Sequence, residues 1–196
     1  MNSALPSFPH ALWRLHAAGS HGFTAVELLV TIAILAVLAA LAGPSFTPLI
    51  ERWRIRQAVE AMTSTLYYAR SEAIKRGGNV IIQKFNSNAS GCTAPTTSEW
   101  NCGWDVCVDT NGNGTCSASE PLLQHYETPA GIDIYRPATG GARISFNRWG
   151  MVSGKYPGFY FTPLNKGTTN PSARGVCMTS GGRVRVVPPE DIPCSP

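Results

Sequence analysis

Between Asp133 and Glu190 the chain carries Arg136, Arg143, Arg148, Lys155, Lys166, Arg174, Arg183 and Arg185 and no acidic residue, a local charge of +8 in a chain whose formal net charge is +4. A cationic block of this kind attracts polyanions and releases their counterions on binding. The same count arises when the cations are scattered over several faces or paired with acids elsewhere. The tetrapeptide Gly182-Arg183-Val184-Arg185 sharpens it. Alternate side chains of a strand share a face, so Arg183 and Arg185 project together while Val184 and Val186 turn to the core. Gly181-Gly182 permits a tight turn and the close approach of another group. Two adjacent guanidinium forks match phosphate oxygens. Contacts of that type do not read bases, so the binding they give is weak, salt-sensitive and sequence-tolerant. A plain exposed hairpin is the competing reading.

Three other groups of residues could carry chemistry. Asp109, Asn111, Asn113 and Glu120 have the spacing of oxygen ligands in an EF-hand calcium loop, with Gly114 at its invariant glycine. Their flanks read as strands and Cys116 stands where a small hydrophobe is usual, so an Asn/Gly-rich hairpin turn is preferred to a metal site. Six cysteines with no CxxC pair and no zinc-type set imply disulfides in an oxidising compartment. Cys177 and Cys194 flank the arginine tetrapeptide and would staple the tail holding Pro188, Pro189 and Pro193 to the sheet. Cys107–Cys116 and Cys92–Cys102 are then the local pairs that remain, one pairing among many. Catalysis has no candidate: His10, His16 and His21 lie in the N-terminal segment, His125 is alone in a strand, and neither a nucleophile elbow nor a phosphate loop is present. Neither an enzyme nor a cofactor is expected.

The elements that must position these residues follow from periodicity. Residues 51–76 read as an amphipathic helix, with Ile55, Val59, Met62, Leu66 and Ala69 or Ala73 forming an apolar stripe. Arg52, Arg56, Glu60 and Arg70 are assigned to its solvated or partner-facing side. Gly77-Gly78 is the expected C-cap, with Lys75 and Arg76 in the last turn. Beyond it, short β-branched and aromatic runs alternate with Gly, Asn, Pro and Ser clusters. Strands are expected near 80–84, 104–108, 122–127, 132–135, 144–149, 158–162, 175–179 and 183–187. A long helix on antiparallel sheet is an α+β fold.

Residues 23–43 hold a single charged side chain, Glu27. A helix over that stretch, at about 1.5 Å per residue, spans a bilayer core of roughly 30 Å. A carboxylate within such a span is a functional residue by default, and at a helix start it also meets the macrodipole favourably. The run 22–32, Gly-Phe-Thr-Ala-Val-Glu-Leu-Leu-Val-Thr-Ile, resembles the prepilin signal of type IV pilins. That resemblance implies cleavage between Gly22 and Phe23 by a prepilin peptidase and N-methylation of Phe23. It gives Glu27 the task of neutralising a neighbouring subunit's amine during assembly, and it makes Pro44 the residue that kinks or melts the helix. Arg52, Arg54 and Arg56 follow the span, against the positive-inside rule; the prepilin motif and the cysteines overrule that count.

Segments 69–77, 104–114 and 144–150 further resemble the GspH/FimT group, minor pseudopilins of type II secretion and minor pilins of type IV pili. The implied organisation is a cleaved leader at 1–22, a transmembrane and filament-core helix at 23–50, and a periplasmic or extracellular globular domain at 51–196. The implied location is the inner membrane, single-pass, and after assembly the pilus at the cell surface, among other pilins. Gly182-Arg183-Val184-Arg185 resembles the GRxR motif through which FimT-type minor pilins bind DNA for natural transformation. Arg143, Arg148, Lys155 and Arg174 are candidates to extend that site. The alternative carried by the same resemblance is a structural pseudopilin of a type II secretion system that binds no DNA.

Overall fold

The computed structural model of the chain describes residues 22–88, 90–153, 158–179 and 181–194, side chains excepted at 42–45, 138 and 153. Helix α1 runs Ala25–Arg76, and the chain divides into two units between Pro44 and Ser45. The leader that the prepilin resemblance implies lies, except for Gly22, outside the described residues.

In the first unit α1 opens on a reciprocal cap. The Glu27 N–H donates to Thr24 Oγ1 at 3.2 Å, and Glu27 Oε2 accepts the Thr24 N–H at 2.8 Å and its hydroxyl at 2.9 Å. This capping box satisfies donors that a helix start leaves orphaned. It gives the lone carboxylate a local partner that the apolar pattern did not suggest. The apolar side chains that follow, among them Leu29, Leu35 and Leu41, are exposed. Among the described residues no single helix is long and apolar enough to cross a membrane; Ala25–Leu41 and Phe46–Arg76 meet that measure only as a pair, by length and composition.

In the second unit the expected stripe is buried: Ile55, Val59, Met62, Leu66, Ala69 and Ala73. Thr65 joins it because its hydroxyl accepts the Trp104 indole N–H at 3.1 Å. The helix ends where Gly77 and Gly78 take positive φ and the Gly78 N–H bonds the Ala73 carbonyl at 2.7 Å, a Schellman-type closure.

Nine strands follow: β1 Val80–Lys84, β2 Gly103–Val108, β3 Leu122–Glu127, β4 Ile132–Tyr135, β5 Arg143–Phe146, β6 Val152–Ser153, β7 Gly158–Pro163, β8 Arg174–Met178 and β9 Val184–Val187. They form two sheets, ordered β3-β2-β1-β5-β6 and β4-β7-β8-β9, with every pairing antiparallel. The α1 stripe shares one core with Trp104 and Phe146 of the first sheet and Phe159, Phe161 and Val176 of the second. The strand expected at 144–149 stops at Phe146, since the Asn147 side chain turns the chain instead. That turn leads into β6, an edge strand, as β9 is of the other sheet.

Candidate nucleic-acid interface

The β8–β9 hairpin sets the arginine tetrapeptide. Register pairs Met178 with Val184, Cys177 with Arg185 and Val176 with Val186. Val184 and Val186 thus share the face of the core residues Met178 and Val176, and Arg185 shares the other face with Cys177. Val184 packs against the core. Val186, expected to be buried, is 48% exposed; β9 is an edge strand with no neighbour on its far side to cover it. The turn is closed by the Gly182 N–H on the Thr179 carbonyl at 2.8 Å and the Thr179 N–H on the Arg183 carbonyl at 3.0 Å. Arg183 and Arg185 are both exposed.

Arg70 of α1 corrects the reading of the helix's charged side. Its side chain is half-buried and lies beneath two hairpin turns rather than in solvent. A Cβ added to Gly150, in the β5–β6 turn, would fall 2.7 Å from Arg70 Cγ, and one added to Gly182 would collide with the Arg70 guanidinium. Both glycines have positive φ, +70 and +81. Edge hairpins of the two sheets therefore close over one arginine. Arg148 and Trp149 stand in the first turn, Arg183 just beyond the second. Arg70, Arg148, Arg183 and Arg185 form no ion pair with a described carboxylate.

The other cations of the acid-free segment are elsewhere. Arg136 is 1% exposed. Its guanidinium lies 5.6 Å from the Trp100 ring centre and 5.5 Å from that of Phe159. Its Nη1 donates to the Gly141 and Arg143 carbonyls, each at 2.8 Å. Burial without a carboxylate lowers its pKa to about 10. Lys166 pairs with Glu51 at 2.6 Å. Arg143 begins β5, at the end remote from Arg148, and donates to the Gly114 carbonyl at 2.6 Å. Arg174 begins β8, at the end remote from the β8–β9 turn, and donates to the Pro171 carbonyl at 3.0 Å. Neither reaches the arginine hairpin, and Lys155 lies outside the described residues. The local count of +8 thus overstates the surface charge.

The Asp109–Glu120 loop spends its oxygens on its own backbone. Asp109 Oδ1 accepts the N–H groups of Gly112 and Asn113 at 2.8 and 3.1 Å, and Oδ2 accepts that of Gly114 at 2.9 Å. Asn111 and Asn113 each accept the N–H two residues on. Glu120 accepts the N–H groups of Ser117 and Thr110, the Ser117 bond foremost among the contacts that hold its carboxyl below the usual range. The four calcium-type side chains therefore build an Asx-rich turn. Among the described residues no group of three or more His, Cys, Asp or Glu side chains is arranged to hold a metal. Disulfides join Cys92 to Cys102, Cys107 to Cys116 and Cys177 to Cys194. His125 is held between Asp105, at 2.6 Å, and Glu127, at 3.7 Å, which raise its pKa.

The family model described as type II transport protein GspH matches residues 58–182. The chain belongs to the GspH family. This family of pseudopilins and type IV minor pilins is structural rather than catalytic. In solved structures, the GspH-family fold seen here matches two crystal forms of the type IV minor pilin FimU of Pseudomonas aeruginosa. One has a TM-score of 0.55 at 19% identity, over 74% of this chain and 96% of that one. The other has a TM-score of 0.53 at 18% identity, over 71% and 98%. The pilin-like protein PilA1 of Thermus thermophilus is 39% identical over 70 residues, which are 36% of this chain and 44% of that relative. The chain thus spans less than half of that relative's length.

Proposed function

We propose that this GspH-family chain is a minor type IV pilin that binds DNA without sequence preference and serves its uptake in natural transformation. The observation that carries the reading is the β8–β9 hairpin, which presents Arg183 and Arg185 exposed and free of described carboxylates, with Arg70 and Arg148 alongside. Guanidinium groups so placed suit backbone phosphates. In this reading the leader is cut between Gly22 and Phe23 by a prepilin peptidase and Phe23 is methylated. The helix at 23–50 anchors the chain once in the inner membrane, with 51–196 in the periplasm. Glu27 then exchanges the Thr24 N–H for the N-terminal amine of a neighbouring pilin as the subunit enters the filament.

The test is a mobility-shift titration of the full chain in non-ionic detergent at two salt concentrations, beside the Arg183→Ala/Arg185→Ala variant. Salt-sensitive binding is expected, with the slope of log affinity against log salt reduced by about two in the variant. Unchanged binding in the variant removes the site. Absence of wild-type binding at low salt supports the second reading, a structural pseudopilin of a type II secretion system, which the type II transport family model favours.

A further inference from the structure

We propose that the β5–β6 turn adds a base-stacking platform to the arginine hairpin, so that this surface takes unpaired, single-stranded DNA in preference to duplex. The inference rests on the DNA-binding reading and adds the class of ligand. It starts from Trp149, which is 64% exposed and so leaves a large flat ring open to solvent. The Arg148 guanidinium stands 5.3 Å from its ring centre.

The turn that carries the indole is held rather than loose. Asn147 Oδ1 accepts the N–H groups of both Trp149 and Met151, each at 3.0 Å, and the Asn147 carbonyl accepts that of Gly150 at 2.8 Å. Gly150 is in turn seated on α1, where a Cβ would come within 2.7 Å of Arg70 Cγ and 2.9 Å of Ile74 Cδ1. The far end of the same Arg70 side chain meets Gly182, the residue before Arg183. One arginine side chain therefore separates the tryptophan turn from the arginine turn.

Duplex DNA offers this surface phosphates and groove edges but no free base faces, because its bases are stacked on one another. A single strand offers phosphates and free base faces together. An aromatic ring among unpaired cations is the arrangement that binds single strands without regard to sequence, through stacking on the ring and phosphate contacts beside it. Arg183 and Arg185 would hold the backbone while a base lies on the Trp149 indole, with Arg148 polarising the ring.

The test compares fluorescence anisotropy titrations of the full chain in detergent against three labelled probes: a 12-mer deoxyoligonucleotide, its duplex, and an abasic strand of equal length. Trp149→Ala should weaken single-strand binding roughly tenfold while leaving the duplex and abasic probes within about twofold. Trp149→Phe should retain most of the single-strand affinity, and unchanged melting temperatures exclude misfolding. Equal losses on all three probes, or none on any, would overturn the stacking platform while the DNA-binding reading stands. If the wild-type chain binds no probe at low salt, both fall.

Discussion

The guanidinium of Arg70 lies against the α-carbon of Gly182, leaving no room there for a methyl group. Helix α1 and the turn of a C-terminal hairpin, far apart in the chain, are thereby in contact at the candidate site. The glycine of the arginine tetrapeptide has two reasons to be glycine: its φ of +81 and this contact.

Gly182→Ala should therefore cost about 1–3 kcal/mol in chemical denaturation, from backbone strain and the displaced arginine. In the double variant with Arg70→Ala the clash is gone and only the strain remains. The two costs should fall short of additive by at least about 0.5 kcal/mol. Strict additivity would mean that Arg70 does not press on the turn.

Arg136 should matter for folding and not for DNA. Arg136→Ala leaves a void between Trp100 and Phe159 and two carbonyls without their donor, a loss of about 3 kcal/mol. Arg136→Met fills most of the volume and carries no buried charge, so its cost should be smaller. Salt-dependent DNA binding by the methionine variant should match wild type, since the side chain is buried.

Stability should depend on pH through His125. The hydrogen bond to Asp105, then Glu127, raises its pKa above the ordinary 6.5. A raised folded pKa adds stability that is fully present below about 6.5 and lost as pH climbs through the folded value. The residue is half exposed, so the effect is small. Melting temperature should decline above neutrality in wild type, and this part of the decline should vanish in His125→Asn.

The Cys177–Cys194 disulfide closes a loop of separation 17 that contains the arginine hairpin. Its removal by paired serine substitution should lower stability by about 3 kcal/mol on the chain-entropy account. Non-reducing peptide mapping should recover Cys177 joined to Cys194 and to no other cysteine.

The Asp109–Glu120 loop should behave as a turn. Isothermal calorimetry should show no calcium heat at millimolar concentration. Glu120→Ala should lower the melting temperature equally with and without calcium, because the lost bonds are to the N–H groups of Ser117 and Thr110.

How much was legible varied with how local the cause was. The stripe from Ile55 to Ala73, the glycine cap after Arg76 and most strand positions follow from periodicity and backbone preference, which act over a few residues. The strand expected through Trp149 failed locally too, because Asn147 bonds the N–H groups two and four residues on and breaks the ladder. Val186 failed for a non-local reason: alternation gives the face of a residue but not whether its strand has a neighbour.

By itself the sequence determined the α+β class and the helix with its buried stripe, because each depends on residue spacing along one element. Only the tertiary structure decided which cations belong together. It buried Arg136 between aromatic rings, tied Lys166 to Glu51, sent Arg143 and Arg174 to the far ends of their strands, and brought Arg70 and Trp149 to the hairpin. The physical reason is that charge along a chain is a one-dimensional count. A binding surface depends on strand order and register, which pair residues far apart in the chain.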